Sequence, residues 1–186
     1  MADYPFRDLA PVRTYTGAEL ANYRAYKVHL RKDFNNKCGY THCLDHWFGG
    51  IHSFQIDHFL PQSTHPNLSK KYTNLIYCCS YVNRAKSNDE GNCIDPCDED
   101  FNDHLYRDKL GNIHPKPSSD RAVNMHRKLK LYLKRYSLIW MLEQLEIKME
   151  RLKMLFEKTG DEDIKTLFCE VSFKYIEYKQ YLRAQQ

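Results

Sequence analysis

The sequence predicts an α+β protein: an N-terminal helix, a compact centre of short strands and turns, and a C-terminal antiparallel helical hairpin. Three observations carry this. A capping-box pattern stands near the start, Thr16-Gly-Ala-Glu19. Residues 38–100 hold six of the seven cysteines, with several glycines and prolines and only short apolar runs. Beyond Ser118, apolar residues recur at heptad spacing up to a glycine turn and continue after it.

Taken in order, the capping box opens a helix running to about Phe34, and Asn35-Asn36-Lys37 breaks it. Ser53-Phe-Gln-Ile56 and Asn74-Leu-Ile-Tyr77 read as short strands or turns, and residues 81–88 as one or two helical turns. Phe101 to His114 reads as a strand, a Gly111 turn and a second strand. Ser118-Ser-Asp120 is an N-cap for a long helical segment. Within it Leu138, Leu142, Leu145, Met149, Leu152 and Phe156 form a heptad seam. Thr159-Gly160-Asp161 turns the chain, and Ile164, Leu167, Phe168, Val171, Tyr175, Tyr178 and Leu182 form the matching stripe. The domains expected are residues 1–117 and 118–186. The seam is expected to pack within the hairpin, with a homodimer left open.

Composition narrows the function classes. The chain has 186 residues, 42% of them apolar and 28% charged, which excludes a disordered polymer. No apolar run reaches the roughly 18 residues of a membrane span. Met1-Ala-Asp-Tyr-Pro-Phe-Arg7 lacks the basic-then-apolar order of a signal peptide, so a cytoplasmic protein with reduced thiols is expected. The net charge of +4 conceals an asymmetry: residues 89–108 hold eight acids against Arg107, a local −7 that leaves +11 elsewhere. Residues 58–88 contain no acid but include Lys70, Lys71, Arg84 and Lys86, and residues 121–136 carry six bases and no acid. Such stretches suit a polyanion, although solvated helical lysines explain them as well.

Chemistry concentrates in Ile56-Asp-His-Phe-Leu-Pro-Gln-Ser63, Thr73-Asn-Leu-Ile-Tyr-Cys-Cys79 and Tyr81-Val-Asn-Arg-Ala-Lys-Ser-Asn88. Metal-assisted phosphodiester cleavage needs oxygen ligands for a hard cation, a base titrating near neutrality, and cations for the charge developing on phosphorus. Asp57, His58, Asn83 and Lys86 supply those residue types. Asp-His alone is uninformative, since it also occurs at Asp45-His46 and Asp103-His104. The order around it discriminates: an apolar residue before the pair, Pro61 three after His58, then Asn74, then Asn83-x-x-Lys86.

On that order, residues 38–88 resemble the HNH (ββα-metal) nucleases, especially the HNH domains of CRISPR effector nucleases. The resemblance implies a ββα-metal core in the first domain and a Mg²⁺- (or Mn²⁺-) dependent endonuclease acting on DNA, with RNA left open. It implies single-metal, in-line attack by water, leaving 5′-phosphate and 3′-hydroxyl ends. Asp57 and Asn83 would be metal ligands and His58 the general base. Asn74 would hold the loop that orients His58. Lys86, with Arg84, would bind phosphate, and Lys70 and Lys71 would join the nucleic-acid surface. The rival reading is a non-catalytic, zinc-stabilised nucleic-acid-binding module.

Many HNH proteins add a structural Zn²⁺ held by cysteine pairs. Cys38-Gly-Tyr-Thr-His-Cys43 occupies the first place and Cys79 the start of the second, where Val82 stands at the expected partner position. Cys78, His42, His46, Cys93 or Cys97 are left as candidates for completion. Residues 93–114, with an acidic run after Cys93-Ile-Asp-Pro-Cys97, are more weakly similar to standalone HNH proteins of bacterial anti-phage systems of the Septu- and retron-associated type. That likeness implies a defence role with an ATPase or other protein partner docked on the helical hairpin. The acidic run itself reads as a solvated loop in preference to an autoinhibitory or partner-binding segment.

Overall fold

The computed structural model describes residues 3–88, 90 and 93–185. Asp89 of the acidic run and the Met1-Ala2 start lie outside the described residues. The protein is mixed α+β and divides into two compact units. The first comprises Met1–Asp108 and Ile113–Tyr132, and the second Lys109–Asn112 and Leu133–Gln186. The sequence puts the boundary after residue 117, whereas the units part at Leu133. The reason is a break in what reads as one long helix. Leu129 ends the first piece, Lys130 takes a left-handed conformation (φ 54°), and the next helix starts only at Lys134.

In the first unit the order is β1 (Tyr4–Pro5), α1 (Lys27–Asp33), β2 (Phe54–His58), β3 (Leu75–Cys79), α2 (Ser80–Lys86), β4 (Leu105–Arg107), β5 (Ile113–Pro115) and α3 (Asp120–Lys128). Short 3-10 turns fill the intervals. The β2–β3 pair is antiparallel, with Asp57 opposite Ile76 and His58 opposite Leu75. α2 follows β3 without a loop, and both α1 and α2 contact the pair. Leu75, Ile76, Tyr77, Cys78 and Cys79 are all buried, so β3 is the central strand of this core. Each large apolar side chain buried there contributes about 1.5–3 kcal/mol. A second sheet, in the order β1-β4-β5, carries the expected strand–turn–strand.

The N-terminal helix departs from its expected start. Residues 16–22 are not helical, and Glu19 pairs with Lys71 (2.7 Å) rather than closing a capping box. Asn22 is the cap instead: its Oδ1 accepts from Arg24 N (3.0 Å) at the head of a 3-10 turn over Tyr23–Tyr26 that leads into α1. Asn35 and Asn36, both at positive φ, end the helix where the sequence places its break.

Charged groups are also built into this unit. Asp33 accepts from Thr14 and from Tyr72 Oη (2.8 Å), and Asp45 from Arg31 Nε (2.6 Å) and Tyr77 Oη (2.8 Å). Part of the acidic run is ion-paired, while Asp98, Asp100 and Asp103 are exposed. Asp95 binds Arg13 (2.8 Å), Asp100 faces Arg7 (3.4 Å), and Glu99 binds Arg121 (2.8 Å). Arg107, fully buried, donates to the carbonyls of Phe6 (3.2 Å) and Thr41 (2.7 Å).

The second unit holds α4 (Lys134–Thr159) and α5 (Glu162–Arg183). Gly160, at φ 65°, supplies the left-handed residue that ends α4, and Asp161 caps α5 through Asp163 N (2.9 Å). Tyr175 Oη donates to Glu146 (2.8 Å), a pair nearly equidistant from Gly160, as antiparallel helices require. Leu138 and Leu142 are buried and the rest of the seam half-buried, but Leu167 of the matching stripe is exposed. No helix among the described residues is long and apolar enough to cross a membrane.

Candidate active site

Alternation along β2 gives adjacent Asp57 and His58 different surroundings. Asp57 is 4% exposed. Its carboxylate accepts from Tyr40 Oη (2.7 Å), and Lys86 Nζ stands 3.2 Å from both its oxygens. Burial pushes this carboxyl up, while Lys86 and Tyr40 oppose the shift. The Tyr40 phenol is pushed well above its ordinary value by burial and by Asp57, so it remains a donor.

His58 is half-buried. Its Nε2 lies 2.9 Å from the Ser69 carbonyl oxygen. A carbonyl can only accept, so Nε2 carries the hydrogen, and Nδ1 of the neutral ring is left with the lone pair. The Tyr23 ring meets the imidazole edge-on, with centroids 4.7 Å apart.

Directly after this pair the chain leaves the sheet, and Asn74 secures it. Asn74 Oδ1 accepts from Leu60 N (2.8 Å), and its Nδ2 donates to Leu60 O (2.9 Å) and Leu68 O (3.3 Å). Its own backbone carbonyl accepts from Phe59 N (2.8 Å). The loop-holding geometry expected of Asn74 is present.

α2 places Asn83 at the same opening. Asp57, His58 and Asn83 line one cleft of about 240 Å³, with Tyr23, Gln62 and Ser87 among the other lining residues. Asn83 Nδ2 donates to Gln55 Oε1 (2.7 Å), which fixes the amide at the rim. Ser87 ends α2 with φ 52° and ψ −135°, a conformation costly for a residue with a Cβ and of the kind that collects at working sites.

The cations expected to meet phosphate do not line this cleft. Lys86 is 1% exposed, and its ammonium donates to Asp57 and to the His58 carbonyl (2.8 Å). Its position inside the helix–sheet joint makes it a positioning residue, and this corrects the phosphate contact expected of it. Lys71 is paired with Glu19, Arg84 stacks over Tyr81 (5.4 Å), and Lys70 is exposed; none of the three lines the cleft. Tyr40 and Tyr23, which touch Asp57 and His58, carry no local signal in the sequence beyond being tyrosines in a chain that has 14.

The donor set can be compared with the two metals. Magnesium keeps several waters and takes one or two carboxylates together with substrate phosphate. One carboxylate with lone pairs beyond those used by Tyr40 and Lys86, and one amide oxygen, suit that cation. Structural zinc needs four ligands. Burial pushes the Cys38 thiol up, but hydrogen bonds from Cys79 and Thr41 outweigh it and hold it at about 6. Cys43 Sγ instead faces the Thr41 carbonyl (3.7 Å), and His42 faces Asp8 (2.6 Å). Among the described residues no three His, Cys, Asp or Glu side chains are grouped to hold a metal ion, while Cys79 N donates to Cys38 Sγ (3.5 Å).

Comparisons of the chain with protein-family models, with curated proteins and with solved structures found no match.

Proposed function

We propose that the protein is a divalent-metal-dependent endonuclease of the HNH type, hydrolysing phosphodiester bonds of DNA with His58 as general base. The observation that carries this reading is the shared cleft: a buried carboxylate, the oriented imidazole next to it and an amide far along the chain face one opening on a strand–strand–helix unit. The Ser69 carbonyl fixes the tautomer, so His58 Nδ1 takes the proton from the attacking water while Nε2–H stays bonded. Asn74 fixes the chain just beyond the base, and Lys86 fixes the backbone of the base itself. Asp57 and Asn83 would hold Mg²⁺ or Mn²⁺, which supplies Lewis acidity at the phosphate oxygen and offsets developing charge. An anti-phage setting with an ATPase or other defence partner belongs to the same reading, on the weaker likeness of residues 93–114.

One observation favours a second reading. Lys86 already neutralises Asp57, as it would in a nucleic-acid-binding module without turnover. Nicking of supercoiled DNA, and cleavage of structured RNA, with Mg²⁺ or Mn²⁺ separate the two. The nuclease reading expects cleavage by the wild type, reduced about 10²–10⁴-fold in His58→Ala with an unchanged thermal melt, and comparable loss in Asn83→Ala. Binding without cleavage under any divalent ion sinks it.

A further inference from the structure

The cleft does not end at Asn83. Tyr23, Ile56 and Asn83 line it and also line a second groove of about 420 Å³, whose wall continues through Arg24, Lys27 and His52. Among the described residues no carboxylate lines this groove, and neither Arg24 nor Lys27 makes an ion pair. Partial burial pulls the Lys27 ammonium down, a cost that an anion brought alongside would offset. The Arg24 guanidinium lies over the Tyr23 ring, 5.5 Å from its centroid. The Asn22 cap fixes the backbone of that turn. Unpaired cations beside an aromatic ring at the mouth of a phosphodiesterase cleft match what a nucleic-acid strand offers, phosphates at regular intervals with flat bases between them.

The geometry points to a strand-binding subsite: the groove holds the nucleotides flanking the scissile phosphate, with Arg24 and Lys27 on their phosphates and Tyr23 against the base at the junction. The assignment rests on the nuclease reading of the adjoining cleft.

The test is fluorescence anisotropy of the full chain with a labelled DNA oligonucleotide in EDTA across a salt series, together with metal-dependent hydrolysis of bis(p-nitrophenyl) phosphate, which has no flanking nucleotides. Arg24→Ala/Lys27→Ala is expected to bind about tenfold more weakly at low salt, with a log–log salt slope shallower by about 2, and to hydrolyse the small diester at the wild-type rate. Tyr23→Ala is expected to lose at least about fivefold in affinity while Tyr23→Phe retains it. Wild-type affinity and slope in the double variant overturn the subsite. If that variant also melts early, Arg24→Lys/Lys27→Arg decides: binding retained supports the subsite, and loss equal to the alanine pair removes it. Wild-type protein that binds DNA with a steep salt dependence and cleaves nothing overturns the nuclease reading and leaves the groove standing.

Discussion

The two compact units are stabilised by different physics. The second holds two helices meeting along an apolar seam, with most charges outside but Arg135 and Glu143 buried, and with Tyr175 tied to Glu146. The first encloses Asp33, Asp45, Asp57, Asp95, Lys86 and Arg107, each matched to a partner far along the chain. A buried ion pair adds little over well-packed apolar side chains, but it tolerates no other arrangement, because one partner alone is a desolvated charge. The unit carrying the candidate site thus spends its interior on placement, and the hairpin spends its interior on adhesion.

The sharpest way to break this contrast is to remove one member of the central pair. Lys86→Met should destabilise the first unit by about 3–5 kcal/mol, and adding Asp57→Asn should recover part of the loss. Urea unfolding followed by tyrosine fluorescence measures both, and a single-variant loss below about 1 kcal/mol would mean the pair is not ionised.

Acid should separate the units next. Burial, followed by the Lys37 charge, holds the imidazolium of His42 down at about 4, so the folded state binds fewer protons than the unfolded state between that value and the ordinary value near 6.5. Stability from this group is therefore complete above pH 6.5 and is lost as pH falls toward 4, by on the order of 2 kcal/mol. Over most of that range its contact with Asp8 is a hydrogen bond donated by a neutral ring to the carboxylate. His42→Gln should flatten the stability–pH profile across this window; an unchanged profile would remove His42 as its source.

The smallest effect belongs to the hairpin. Asp161→Ala removes the α5 cap and should cost about 1 kcal/mol. Hydrogen exchange should place the loss in the first turn of α5 and leave the amides of β2 and β3 as they were.

What the sequence revealed follows the same division. The seam from Leu138 to Phe156 and the Gly160 turn were readable because helical packing repeats, and a repeat is visible in one dimension. The ordered spacing of Asp57, His58, Asn74 and Asn83 was readable only through its resemblance to the HNH nucleases, since each residue taken singly is ordinary. Tyr40 and Tyr23 were not, because nothing local marks a tyrosine whose partner lies 17 or 35 residues away. Lys86 was misplaced because the resemblance puts it on phosphate, and only the folded chain shows Asp57 behind it. The capping box at Thr16 failed for a similar reason, with Glu19 turned toward Lys71.

The Asn74 side chain extends the β2–β3 ladder. By accepting from Leu60 N and donating to Leu60 O it mimics a peptide group and adds one rung beyond the end of the β2–β3 ladder, while its bond to Leu68 shuts the far side of the excursion. Residues 61–67 thus form an appendix fastened at its neck, and Ser69, which orients the imidazole, lies past the clasp. Lengthening that appendix changes chain entropy by only about 0.6 kcal/mol for each doubling, so its size and chemistry are free to drift while the histidine stays put.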